Sequence, residues 1–250
     1  MKLIPLLAAV LGATFCVHAQ GQVVLEKKAP PAASGHTVTG DGWRMIAGSA
    51  SRDGVYALAW GLKPNSQAKI RVDENGDAAA DEAEAADLVN YVVNLRTKDV
   101  LGAVIGKHFG DKPTYNHISN ETAWSSDSQF VAQLNNFKWG TANAFVYQVV
   151  DDATLSKGTD LIKPVTATVF EHLRGGPRVK KFKKEDFAIT LHEARIIQRG
   201  AATVLQVEVL GQIPKSGEDD SYFDATVTFD LKPAAKGGAP MLTWTGTEIH

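Results

Sequence analysis

The chain has 250 residues, a hydrophobic share of 44% and a formal net charge of -2. That is enough apolar material for one large domain or two small ones. The near-neutral balance excludes a global electrostatic attraction to nucleic acid or anionic membranes, and a single cysteine, Cys16, excludes a disulfide framework.

Met1-Lys2 begins the chain with positive charge, Leu3–Val17 is mostly apolar and uncharged, and Val17-His18-Ala19 ends in small residues. This pattern predicts a secretory signal peptide over 1–19, cleaved after Ala19, which removes Cys16 and leaves no transmembrane segment. Phe15 stands where a lipoprotein site wants a small residue, so Cys16 reads as part of the signal. Residues 20–42, with Lys27-Lys28 and Pro30-Pro31, read as a flexible leader holding at most a short edge strand at Gln22–Leu25.

Apolar runs then alternate with polar turns. Trp43–Ala47 and Val55–Trp60 flank Ser51-Arg52-Asp53-Gly54, which predicts a hairpin because Asp and Gly tolerate positive φ. Ser66–Asp87 is acidic and alanine-rich, and Asp81–Leu88 within it fits a short helix. Val89–Leu95 and Val100–Ile105 form a second predicted hairpin across Arg96-Thr97-Lys98-Asp99. After the polar loop Gly106–Thr122, Ala123–Asn136 reads as strand, turn and strand. Ala144–Val150 is a strand, and Val165–Phe170 reads as another because of its β-branched content. Residues 166–186 form a basic connector. The C-terminal region, 187–250, offers strands at Phe187–Leu191, Ala202–Leu210, Tyr222–Leu231 and Met241–Ile249; Phe223, Ala225, Val227 and Phe229 alternate onto one face.

Asp53 placed on Asp127, an offset of 74 residues, superposes two turns of the form Ser-x-Asp-(Gly/Ser)-x-aromatic, with Tyr56-Ala57-Leu58 over Phe130-Val131-Ala132. Downstream, Val92 falls on Val146 with 20 fewer residues in the second copy. The acidic stretch 66–87 therefore reads as an insertion in the first of two units spanning 43–165. Trp124, Ser125, Asp127 and Ser128, echoed by Ser51, Asp53, Gly54 and Tyr56, resemble the turn of a β-propeller blade of the TolB and WD-repeat kind. The resemblance covers about half the mature chain. It implies four-stranded antiparallel units, but a closed propeller needs four to eight of them. The expected fold is all-β, mainly antiparallel with little helix: propeller-like units or an open sandwich, too short to close as a monomer.

Polar residues concentrate in Lys107–Asn120. His108, Asp111, Tyr115 and His117 there are the candidate ligand-binding residues, since loops set on rigid sheets commonly carry sites. Asp73, Asn75, Asp77 and Glu84 stand at positions 1, 3, 5 and 12 of a calcium-loop count, with the glycine displaced to Gly76 and Ala78 at position 6. Arg174–Lys184 is a basic run beside Glu185-Asp186 and reads as a solvated face. Asn120-Glu121-Thr122 fits a glycosylation acceptor. The five tryptophans fall in or beside strands and read as core or sheet-edge residues.

The sequence has no Gly-x-Ser-x-Gly elbow, no His-Glu-x-x-His, no phosphate-binding loop and no dinucleotide fingerprint. These readings predict a secreted or periplasmic binding or scaffold module without catalysis or cofactor. Its partner would be an envelope protein or extracellular ligand, not nucleic acid. The alternatives are a hydrolase with its site on the 107–120 loop and a calcium-stabilised extracellular domain.

Overall fold

The computed structural model describes residues 42–78, 85–115, 117–174, 183, 187–212, 222–235 and 237–250. The expected signal peptide, most of the leader, residues 79–84 of the acidic stretch and nearly all of the basic run lie outside them.

The chain is mainly antiparallel sheet, with 55% strand and 8% helix. In the first sheet, β1 (Trp43–Met45), β2 (Tyr56–Leu62), β3 (Leu88–Asn94) and β4 (Val100–Val104) lie side by side in chain order. The second sheet runs β5 (Thr114–Tyr115), β6 (Ile118–Trp124), β7 (Phe130–Phe137), β8 (Gly140–Val150) and β10 (Thr159–Asp160), with β9 (Thr154–Leu155) also paired to β8. The third sheet is the meander β11 (Ala188–Arg199), β12 (Ala202–Gln212), β13 (Tyr222–Lys232) and β14 (Met241–Ile249). One sheet curls into a half-barrel, and none closes into a propeller.

Side-chain alternation sorts the residues between layers. On β2, Tyr56, Leu58, Trp60 and Leu62 pack with Val92, Val131, Tyr147 and Val149 between the first two sheets. The opposite face of the first sheet carries Trp43, Ala57, Ala59, Tyr91, Val93 and Val100. On β7, Phe130, Ala132 and Leu134 turn the other way and meet Leu205, Val207, Val227 and Phe229 of the third sheet.

The offset between the two turns persists into the strands. Tyr56 pairs with Asn94 as Phe130 pairs with Gln148, and Leu58 faces Val92 as Ala132 faces Val146. The offset is 74 on β2 and β7 but 54 on β3 and β8, so the β2–β3 connection is 20 residues longer than the β7–β8 connection. That connection is closed at its base by the Lys63–Asp87 ion pair, the Ser66 hydroxyl on the Asp87 carboxylate, and Lys63 N donating to Asp87 O at 2.6 Å.

Val165–Phe170 is not a strand. It lies in helix α1 (Ile162–Arg174). Val165 and Val169, four residues apart, are both fully buried in the core beneath the third sheet, and Phe170 meets the Phe187 ring edge-on at 5.4 Å. The Asp160 carboxylate accepts from Ile162 N at 3.1 Å and caps the helix. Burial at helical spacing outweighs the β-branched propensity of this segment. The C-terminal strands are also longer than the apolar runs indicated: β11 continues through polar residues to Arg199, turning at Gly200 with φ 60. No described helix is long and apolar enough to cross a membrane.

Candidate functional site

The polar loop after β4 runs along the junction of the first two sheets, with His108 turned inward and Lys107, Lys112 and Pro113 exposed. His108 is 0% exposed. Its Nε2 lies 2.7 Å from the Lys112 carbonyl, an acceptor only, so Nε2 carries the proton and donates. Nδ1 is then a bare acceptor, and it has no hydrogen-bond partner. The ring meets Tyr115 edge-on at 4.8 Å. Burial pushes the His108 pKa down, partly opposed by the bond to Lys112. Tyr115 donates its hydroxyl to Lys107 O at 2.9 Å.

Asp111 is held by the Arg44 guanidinium, with Nε donating at 2.9 Å and Nη2 at 2.5 Å, and by Trp60 Nε1 at 3.2 Å. Its carbonyl accepts from Ala47 N at 2.7 Å, tying the loop to the end of β1. His117 does not join this group: it is exposed on the β5–β6 turn at φ 63. The four candidate residues therefore do not form one constellation. Asp111 stitches the loop to the first sheet, the His108 ring and the Tyr115 hydroxyl close the loop on its own carbonyls, and His117 faces solvent.

Beside the loop, amide side chains replace apolar packing between the sheets. Asn90 Nδ2 donates to His108 O at 2.5 Å, and Asn90 Oδ1 accepts from His108 N at 2.9 Å. Across the junction, Asn120 Oδ1 accepts from Gln133 Nε2 and Asn135 Nδ2, each at 3.1 Å. The two groups close on Gly106, where a Cβ would lie 2.6 Å from Asn135 Oδ1 and 2.8 Å from Asn90 Oδ1. Asn120 also donates to Thr122 Oγ1 at 2.8 Å and is 4% exposed, so the acceptor residue of the glycosylation-like triplet is buried in the folded protein.

The calcium-loop residues build a turn. Asp73 Oδ1 accepts from Asn75 N at 2.8 Å and Asp77 N at 3.1 Å, with Gly76 at φ 85. Asp77 lies against the polar loop, where burial raises its pKa, as do Asp73 and Asp111, against the lowering effect of Lys112. Glu84 lies outside the described residues. Among the described residues, no three acidic, histidine or cysteine side chains are placed to hold a metal ion.

A concave site lies where the two repeated turns meet. Both turns are closed by the same bonds. Ser51 Oγ donates to Asp53 Oδ1 at 2.7 Å, and Ser125 Oγ to Asp127 Oδ1 at 2.6 Å. Those carboxylate oxygens also accept from Val55 N at 3.0 Å and Gln129 N at 3.1 Å. The serine hydroxyls in turn accept from Tyr56 N and Phe130 N, both at 2.9 Å. Gly54 and Ser128 occupy the same position with φ 68 and φ 58. A cleft of about 230 Å³ opens between them. Asp53, Asp127 and Ser128 line it with Arg96 from the β3–β4 turn and Asp152 from the β8–β9 turn; Val55 and Val149 supply apolar wall.

Tyr56, also lining the cleft, donates to Asp152 Oδ1 at 2.7 Å and stacks on Trp124 with centroids 5.8 Å apart. Its pKa is raised by burial and by the bond to Asp152. Burial raises the Asp53 pKa, but the Ser51 hydroxyl and the Val55 amide bring it below the usual carboxylate range. The polar lining consists of three carboxylates, one guanidinium, the Gln129 amide and the Ser128 and Tyr56 hydroxyls. Neither Arg96 nor Asp152 was singled out by sequence, because each sits in an ordinary hairpin turn. The repeat was the signal for them: its two like turns, on neighbouring sheets, line one cleft. No protein-family model matches the chain, and no curated protein matches it.

Proposed function

We propose that this protein is a secreted or periplasmic β-rich module that binds or scaffolds without catalysis. It is exported by its first 19 residues and acts on an extracellular or envelope partner without a cofactor. The observation that carries the reading is the fate of the polar loop. His108, Asp111 and Tyr115 have the side chains a hydrolase would use, but His108 and Tyr115 are bonded to carbonyls of their own loop, Asp111 is held by Arg44, and His117 stands apart on the surface. A general base must reach the proton it abstracts, and a fully buried imidazole bonded to a backbone carbonyl is poorly placed to do so. The bond-for-bond agreement of the two turns further supports descent of the two units from one blade-like ancestor.

The test is export followed by activity profiling. Expression of the full chain in a bacterium with an intact secretion system should yield extracytoplasmic protein beginning at Gln20 by intact mass. Full-length protein confined to the cytoplasm overturns the localisation. Turnover of ester, peptide, glycoside or phosphate substrates that His117→Ala abolishes overturns the non-catalytic reading.

A further inference from the structure

We propose that the cleft between the Ser51–Tyr56 and Ser125–Phe130 turns binds an organic cation, a primary ammonium or guanidinium group on an aliphatic stem. This deepens the binding reading by naming the ligand chemistry.

Three carboxylates, Asp53, Asp127 and Asp152, face one guanidinium, Arg96, so the lining carries an excess of negative charge. Arg96 forms no ion pair with any of them among the described residues. Asp53 and Asp127 each commit Oδ1 to their own turn, which leaves Oδ2 on both sides without a donor from that turn. Ser128 lies between them. It is 2% exposed, and its hydroxyl turns toward Asp53 without completing a hydrogen bond to any group. A buried hydroxyl left without a partner is destabilising, so a ligand donor or acceptor that reaches Ser128 completes a bond the free protein lacks.

Size and spacing select the ligand class. Drug-sized ligands occupy roughly 300–1,000 Å³, whereas about 230 Å³ admits the end of one side chain or a small amine. A calcium ion needs its oxygens at about 2.3–2.6 Å, and no such cluster occurs among the described residues. Carboxylates spread around a wider opening suit a planar guanidinium or a hydrated ammonium, whose several donors reach separate acceptors. Val55 and Val149 give the methylene stem an apolar wall.

The experiment is calorimetric titration of the mature protein at low ionic strength with ethylguanidinium, with putrescine, and with the capped tripeptide Gly-Arg-Gly. Saturable binding is expected, and it should weaken about tenfold or more in Asp53→Asn/Asp127→Asn, where the asparagine oxygens still close the turns. Ser128→Gly should weaken binding without loss of thermal stability, because glycine suits the positive φ that Gly54 already adopts. Arg96→Gln, which removes a competing cation, should tighten binding. Tighter binding of the peptide assigns the cation to a protein side chain, and tighter binding of the free amines assigns it to a small molecule; either supports the proposal. Absence of saturable binding by all three probes overturns it, as does binding unchanged in the variants. A failure here leaves export and the absence of catalysis untouched, whereas hydrolysis lost in His117→Ala would overturn that reading and leave the cleft standing.

Discussion

Acidification should destabilise this protein through His108. The folded state holds the ring neutral: it is fully buried, Nε2 is already donating to Lys112 O, and Nδ1 has no partner to share a second proton. The nearby ionisable side chains offer no rescue, since Asp111 is bound by Arg44 and the burial-raised Tyr115 phenol stays neutral. In the unfolded chain His108 titrates near about 6.5. Its folded pKa is depressed, so between the two values the unfolded state binds the extra proton. Stability is therefore full above about pH 6.5 and falls as pH drops toward the folded pKa, with a limiting slope of about 1.4 kcal/mol per unit. At pH 5.5 the loss from this one group reaches up to about 1.4 kcal/mol. Other histidines titrate in the same window, so the measurement is a difference. Urea unfolding of wild type and His108→Leu is compared at pH 8 and pH 5.5. The variant leaves the Lys112 carbonyl unpaired, costing about 1–3 kcal/mol at pH 8. That gap should narrow at pH 5.5 by up to the amount above. Parallel pH profiles for the two proteins would refute the assignment of a neutral, unpartnered ring.

The junction and the turns allow sharper comparisons. Gly106→Ala should cost about 1–3 kcal/mol by denaturant unfolding, since its Cβ would press on three side-chain amides; Gly246→Ala, with nothing within 4 Å, should be neutral or slightly stabilising. Arg44→Met should cost about 1–2 kcal/mol by the same assay, because Asp111 keeps only Trp60 as a side-chain donor; the partial exposure of the pair holds the loss well below that of a buried one. Ser51→Ala and Ser125→Ala should each cost about 1–2 kcal/mol, and alike, because both hydroxyls are buried and make the same two bonds. Costs that differ severalfold would show that the turns are not energetically equivalent.

The sheets were legible because many of their strands alternate and the two repeated turns and the β11–β12 turn carry Gly or Ser where φ is positive. Met241–Ile249 and Tyr222–Leu231 fall almost residue for residue on β14 and β13. Helix α1 was not legible, because its identity depends on which face of Val165–Phe170 meets the core, and that face is supplied jointly by β8 before it and by β13 and β14 far beyond it. The polar loop misled for a related reason. A cluster of His, Asp, Tyr and Asn looks the same in sequence whether it surrounds a substrate or fills the seam between two sheets. Only the partners tell them apart: Lys112 O for His108, Arg44 for Asp111, Lys107 O for Tyr115. The cleft was the converse case. Its parts lie at four separate turns, and Ser125 and Asp127 read as turn-formers, which they also are.

The second sheet lies between the other two, and this governs how the chain can be divided. Val131, Tyr147 and Val149 are buried toward the first sheet, while Phe130, Ala132, Leu134, Ala144 and Val146 are buried toward α1 and the third. A fragment ending near residue 165, where composition changes, would have one of those faces stripped bare, with a row of aliphatic and aromatic side chains left in water. A fragment starting there would lose the same partners from the other side. The shift in composition at that point is thus a change of layer within one shared core, and truncation at it should yield aggregation-prone pieces instead of two soluble halves.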